Sequence, residues 1–346
     1  MRKCLISGNY MEWYYIVLII LASFLGIFLI GTIVVNIVLI NMFLVRKKEM
    51  KENKKQAKDT VIEDLGGDWS KYRKMMNETQ TIIDQLEWKE VELKYKKKIR
   101  RGYFYENKDS DVLIVFAHGW TSNAMENLSF VGRFALNQKY NILIVNAKGH
   151  GNSDGNLFGF AVNDYDALVK WCDYITRSTN RNYHIFLHGI SMGGATVLYC
   201  ADKVINNLDG IIDDCGFTSP WDEFYHGMLR YVKSRFLVKI ALSSLDVIAR
   251  IFIRMNIRLN TKTSVEKSRV PILFIHGDLD DFVPTKMSIE NYEASKENGF
   301  NNELWISEGC KHGTTSLDKD NEYQERVVAF INKNRRGSYE RMDKKI

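Results

Sequence analysis

The stretch "YHIFLHGISMGG", Tyr183 to Gly194, runs an apolar segment directly into three glycines set around one serine. Gly189, Ser191 and Gly193 form the pattern G-x-S-x-G, and the continuation "GGATVLYCADKV" reads as a helix. Strand, sharp turn and helix in that order is the context in which a strained turn lifts a serine hydroxyl clear of the backbone. Side chains at the flanking positions would collide with the adjoining strand and helix, which is why glycine stands there. A serine hydroxyl in water is a poor nucleophile. The turn has chemical meaning only if the chain also supplies a base, an acid to orient that base, and amide donors for a developing oxyanion.

On either side of this stretch lie further short apolar runs: "VLIVFAH", "NILIVNA", "GIIDDC" and "PILFIHG". Each has strand length and is rich in Ile, Val and Leu, as a strand covered on both faces must be. Helix-like segments such as "AVNDYDALVKWCDYITRS" separate them. The alternation predicts an α/β fold with a mostly parallel sheet and helices on both faces. Ahead of it, "WKEVELKY" and "RRGYFYE" alternate apolar and polar residues, the pattern of half-buried antiparallel strands.

The 346 residues, 45% hydrophobic and 26% charged, are ample for a large core. A formal charge of +6 is modest. No basic block is interleaved with aromatics as a nucleic-acid groove requires, so no nucleic-acid partner is expected. Cys4, Cys172, Cys200, Cys215 and Cys310 are scattered without a CxxC pair, which argues against a disulfide framework or a zinc site.

Trp13 to Val45 contains no charged residue. About 20 apolar residues suffice to cross a bilayer as a helix, and a cleaved signal peptide has a shorter apolar core. The expectation is therefore a retained single-pass anchor to the cell membrane over 13–45, with Trp13, Tyr14 and Tyr15 as an interfacial belt. Residues 1–12 form a tail. Residues 46–87 form a charged juxtamembrane linker and helix, broken at "GGDW". The globular domain is expected over 88–335, and a polar tail over 336–346. Arg2 and Lys3 precede the apolar run, whereas Arg46, Lys47, Lys48, Lys51, Lys54, Lys55 and Lys58 follow it. The positive-inside bias points the domain to the cytoplasm, while many single-pass anchored domains face outward. The side stays open.

The acid and the base are expected after the serine, in that order. "PILFIHGDLDDFVP" ends a strand and opens a loop with three carboxylates, Asp278, Asp280 and Asp281. Active-site groups collect in loops at the carboxyl ends of parallel strands. Farther on, "NELWISEGCKHGTTS" gives another strand and a loop bearing His312. His118, His188 and His276 each precede a glycine at a strand end, where service to the turn is expected. His150 comes before the serine, His184 begins a strand, and His226 lies in a helical insertion. His312 is the expected base. The oxyanion donors are expected to be the amides of Met192, directly after the serine, and of Trp120, in the loop after "VLIVFAHGW". This chemistry needs no metal or organic cofactor.

At this point the chain resembles an α/β hydrolase from about Trp88 to Phe330. The likeness is carried by "HGW", "NAKGHGNSDG", "HGISMGG", "HGDLDDFVP" and "CKHG", in the family's order. The pattern H-G-x-x-D-x-x-V-P implies that Asp280 is the acid. "IIDDCGFTSPWDEF" further resembles a bacterial branch of membrane-anchored or exported hydrolases, near the serine aminopeptidase S33 and monoglyceride-lipase-like groups. Lys148 departs from the arginine many relatives carry before "GHGxS". The family commonly inserts a cap between the strand "GIIDDC" and "PILFIHG", here about 221–268. From Arg230 to Arg258 this segment holds seven basic residues and one acid, Asp246, among many apolar ones. Such a segment can bind an anionic lipid surface. The simpler reading, which we weigh more heavily, is a cap whose apolar face covers the site.

The resemblance implies a serine hydrolase forming an acyl-enzyme on Ser191, with a carboxylic ester favoured and a small-molecule or lipid-like acyl group as substrate. An alternative is an aminopeptidase-like enzyme with the same triad, which would need Glu223 or Asp222 to hold a substrate amine. A third is a non-catalytic membrane-anchored binding protein. Acyl-chain preference and oligomeric state are not legible here.

Overall fold

The computed structural model describes residues 7–46 and 72–335. The 1–12 tail before Ser7, Cys4, the basic run after Arg46, the "GGDW" break and the 336–346 tail lie outside the described residues. Elements follow in chain order: α1 (Ser7–Phe43), α2 (Arg73–Asp84), β1 (Lys89–Tyr95), β2 (Lys98–Tyr105), β3 (Val112–Ala117), α3 (Ala124–Val131), β4 (Asn141–Val145) and α4 (Tyr165–Thr179). Then come β5 (His184–Ile190), α5 (Met192–Tyr199), β6 (Leu208–Asp214), α6 (Pro220–Leu229) and α7 (Arg235–Ile248). The chain closes with β7 (Ile272–Gly277), α8 (Lys286–Ser295), β8 (Glu303–Ser307) and α9 (Asp320–Arg335), with shorter helical turns between.

The eight strands form one sheet in the order β1-β2-β4-β3-β5-β6-β7-β8. β1 and β2 are an antiparallel hairpin, and β2 joins β4 antiparallel. From β4 to β8 every pairing is parallel. The hairpin turns on Lys96 and Lys97, both at positive φ, the turn geometry that matches the twist of a two-residue hairpin. The strands β3, β4, β6 and β7 are buried at every position, as their unbroken apolar runs require.

Two apolar layers result. On one face Val112, Ile114 and Phe116 of β3 pack with α3 and with Val327, Phe330 and Ile331 of α9. On the other, Leu113, Val115 and Ala117 pack with Leu168, Trp171 and Ile175 of α4 and with Val197 and Leu198 of α5. Helix α4 ends on Asn180 in the left-handed conformation, a stop that asparagine tolerates.

A third apolar cluster sits over the carboxyl edge of the sheet. It joins Met192 and Ala195 of α5 to Phe224 of α6, to Val238, Leu242 and Leu245 of α7, and to Leu39 and Leu44 at the end of α1. The expected cap is thus a helical pair, α6 and α7, followed by a π-type turn at Ala249–Ile253. Helix α6 starts cleanly because Ser219 accepts from the Asp222 amide and Pro220 follows it. Helix α1 contains a 31-residue apolar run, Trp13–Phe43, that can cross a membrane by length and composition. Its last turns do something the sequence did not announce: they dock on the cap. Asn36 Nδ2 donates to Ser244 Oγ of α7 at 2.8 Å. The Phe43 ring stacks on Phe224 at 4.5 Å. Beyond the helix, Val45 bridges Leu157, and Arg46 donates to the carbonyls of Gly151 and Ser153. Arg46 is therefore occupied by the domain rather than free at a membrane surface.

Candidate active site

Ser191 sits between β5 and α5 at φ 55° and ψ −117°. That backbone is costly for a side-chain-bearing residue and persists only where surroundings enforce it. The flanking glycines explain the enforcement. A Cβ at Gly189 would meet the Gly193 carbonyl, and one at Gly193 would meet the Ala117 carbonyl of β3. Strand, turn and helix approach so closely that only hydrogen fits.

Ser191 Oγ lies 2.9 Å from His312 Nε2. His312 Nδ1 lies 2.7 Å from Asp280 Oδ2. The three expected residues, from three separate loops, thus form one hydrogen-bonded chain. They are almost covered: Ser191 is 9% exposed, Asp280 6% and His312 6%. Asp280 is held from several sides. Its Oδ1 accepts from the amides of Phe282 and Val283, both at 2.9 Å. Its Oδ2 also lies 3.0 Å from His276 Nε2. Burial alone would raise this carboxyl, but His312 and His276 more than offset it and hold Asp280 well below the usual carboxylate range.

The other two carboxylates of that loop have other work. Asp278 Oδ1 accepts from the Gly309 amide at 2.7 Å, fastening the acid loop to the base loop. Asp281 offers its backbone carbonyl to His226 and Arg230 of the cap. His276 exceeds its expected turn role by touching the acid, a contact invisible to local pattern because it depends on how the loop folds back.

The loop after β3 passes directly over the serine: a Cβ on Gly119 would stand 3.7 Å from Ser191 Cβ. Trp120 follows, and Thr121 after it has φ 62°, an outlier for a β-branched residue. His150 pins the distortion, because its Nε2 accepts from the Thr121 amide at 3.3 Å while Nδ1 faces the Lys148 carbonyl at 3.2 Å. Burial beside His118 drives the His150 imidazole toward its neutral form. The sequence placed His150 only as out of order for a base. Met192 opens α5, so its amide is among those at the positive end of that helix.

The roof is apolar. Trp120 packs against Phe43 and Phe160, and Phe224 against Phe160. Two polar atoms under it have no partner among the described residues, Trp120 Nε1 and Glu223 Oε2. Burial, with Asp280 nearby, pushes the Glu223 carboxyl well above its ordinary range. Asp222 is spent otherwise, accepting from Thr218 and Ser219 hydroxyls at the start of α6. Cys215, Asp280 and His312 present possible ligand atoms within 4.8 Å of one another. Both His312 nitrogens are already engaged, and burial pushes the Cys215 thiol well up, so the grouping suits proton transfer better than metal binding.

A family model described as serine aminopeptidase, S33, matches residues 108–252. An uncharacterized protein of Bacillus subtilis, YqkD, is 26% identical over 315 residues, covering 89% of this chain and 95% of its own length. Among solved structures, an esterase of Pyrococcus furiosus is 21% identical with a TM-score of 0.61, over 73% of this chain and 93% of the esterase. An acylaminoacyl peptidase of Pyrococcus horikoshii is 19% identical with a TM-score of 0.52, over 73% of this chain and 42% of the peptidase. With the strand order, the strained turn at Ser191 and these likenesses in agreement, the chain has the α/β-hydrolase fold.

Proposed function

We propose that the chain is a membrane-anchored serine hydrolase that cleaves carboxylic esters of hydrophobic acyl groups. The observation that carries this reading is the continuous hydrogen-bonded chain Ser191–His312–Asp280 beneath an apolar roof. His312 takes the proton as Ser191 Oγ attacks the ester carbonyl. Asp280, held anionic, stabilises the imidazolium and fixes its tautomer. The amides of Met192 and Trp120 receive the oxyanion. His312 then returns the proton to the departing alkoxide, leaving an acyl group on Ser191. Water, deprotonated by the same imidazole, releases the acid. Helix α1 is the anchor in this reading.

The ester is favoured over an aminopeptidase substrate on electrostatic grounds. A pocket for a free ammonium needs a standing negative charge, and Asp222 is already occupied. Burial, with Asp280 nearby, pushes the Glu223 carboxyl toward its neutral form, which disfavours it as a counter-ion.

The full chain in detergent should label with a fluorophosphonate probe, and Ser191→Ala should abolish labelling. It should turn over p-nitrophenyl acyl esters at least tenfold faster than aminoacyl anilides. Faster anilide turnover would replace the ester reading by the peptidase one. No labelling of folded protein would leave a binding role.

A further inference from the structure

Helix α7 of the cap has two apolar faces, and only one of them is used inside the fold. Val238, Leu242, Leu245 and Ala249 repeat at helical spacing and are fully buried against the domain. Phe236, Val247 and Ile251 make a second row that faces out, with Phe236 72% exposed, and Phe252 beside it is 78% exposed. At about 100° per residue Phe236 and Val247 of α7 lie about 60–80° round the helix from Ser244, the residue that touches α1, and Ile251 follows in the π turn. The exposed row therefore borders the contact with α1.

The length of α1 fixes the depth of that row. Its apolar run of 31 residues would extend about 46 Å, against about 30 Å of hydrocarbon. With Trp13 to Tyr15 at one interface, about 20 residues bring the helix to the other near residue 33. Asn36 and its partner Ser244 then stand at headgroup level, and beyond them one face of the helix, with Leu39 and Leu44, packs on protein while Ile37, Val38 and Met42 stay exposed. On that placement of α1, the cap would lie against the bilayer.

Its charge fits that position. On this face Arg250 and Arg258 pair with Asp246, and Arg230 lies near Asp281. Lys233, Arg235, Lys239 and Arg254 are exposed and have no carboxylate partner among the described residues. Exposed aromatic and aliphatic side chains flanked by unpaired cations are what an interfacial helix presents to anionic lipid.

We propose that the outer face of the cap, α7 with the following π turn, docks on the anionic surface of the bilayer that α1 crosses. The covered site beneath it is then held at the membrane, and cap movement would open it toward lipid. The proposal rests on reading α1 as a membrane span.

The test uses the full chain carrying Cys4→Ser, with Phe252→Cys labelled by an environment-sensitive fluorophore, in nanodiscs of mixed phosphatidylglycerol and phosphatidylcholine. Cys172, Cys200, Cys215 and Cys310 are buried and stay unlabelled. Val204→Cys, 69% exposed in the turn between α5 and β6 at the opposite edge of the sheet, is the reference. Docking predicts a blue shift and quenching by doxyl-labelled lipid at position 252, at least threefold stronger than at 204. It also predicts weakening in pure phosphatidylcholine or with Lys233→Gln and Lys239→Gln together. Equal iodide access at the two positions, in protein retained by the bilayer, would overturn the proposal. So would protection from iodide without lipid quenching, which would put a second copy of the chain on this face. Protein released by alkaline wash would instead refute the span itself.

Discussion

His150 lies outside the Ser191–His312–Asp280 chain, yet the loop after β3 leans on it through the Thr121 amide. Its Nε2 can accept from Thr121 only when Nδ1 carries the ring proton, so the imidazole must be neutral. Burial enforces that state. In the proposed mechanism, replacing it with alanine frees a loop held at positive φ and displaces the Trp120 amide, the proposed oxyanion donor. The expected result for His150→Ala is a fall of about 10–100-fold in kcat with KM nearly unchanged, because a misplaced oxyanion donor costs transition-state binding alone. His150→Gln, which keeps an acceptor, should recover part of it; an unchanged kcat in the alanine variant would remove the loop from the mechanism. Asp213 is a second residue whose surroundings dictate behaviour. Burial pushes its carboxyl up to about 7, with Asp214 adding to the effect. An acid whose folded pKa exceeds its unfolded value near 4 binds its proton more tightly in the native state. Stability is then lost as pH rises from about 4 to about 7. Asp213→Asn keeps an oxygen for the Gly216 amide, which Asp213 Oδ1 now accepts at 3.0 Å. Its Tm relative to the parent should rise by roughly 5 °C between pH 5 and pH 8. A pH-independent difference would contradict the buried-acid account.

Elements were the most legible level of this chain. Five buried strands announced themselves as unbroken runs of branched aliphatics, because a strand covered on both faces has no polar side to alternate with. The turn at Ser191 was legible for a related reason: its glycines are demanded by backbone collisions that act locally. Two substitutions separate that demand from ordinary helix preference. In Gly193→Ala the new methyl would meet the Ala117 carbonyl, a backbone atom of a central strand that cannot retreat. A loss above about 3 kcal/mol and complete loss of activity are expected, read by thermal melts and probe labelling. Gly227, in α6, has nothing within 4 Å of an added Cβ. Gly227→Ala should raise stability by about 0.5–1 kcal/mol, since glycine is a poor helix former. Similar melts for the two variants would mean that the elbow is looser than its geometry. What local pattern could not carry were contacts between elements. Nothing near His276 or His150 marks them as supports, because each acts on a loop that follows a different strand. The three carboxylates of the acid loop were likewise equivalent by composition and were separated only by the family's spacing.

At the scale of the whole molecule, the apolar run 13–45 reads as one object in sequence, but the structure divides it. Up to about residue 33 its side chains are mostly exposed and fit lipid. From Asn36 onward one face of it packs on the folded domain: Leu39 and Leu44 are buried and Phe43 lies between Phe224 and Trp120, while Ile37, Val38 and Met42 stay exposed. Hydropathy cannot draw that boundary, since an apolar side chain is equally content in lipid or in a protein core. The division makes a sharp forecast. Burying three such side chains stabilises by about 1.5–3 kcal/mol each, a total comparable with the whole stability of a domain. Exchanging residues 13–32 for an unrelated apolar helix, with 33–46 retained, should leave Tm and turnover of a p-nitrophenyl ester within error of the parent. Replacing Leu39, Phe43 and Leu44 together by alanine, with 13–32 retained, should lower Tm by 10 °C or more and depress turnover by opening the roof above Trp120. The reverse ranking, a sensitive 13–32 segment and a tolerant docking end, would return α1 to the status of a passive tether.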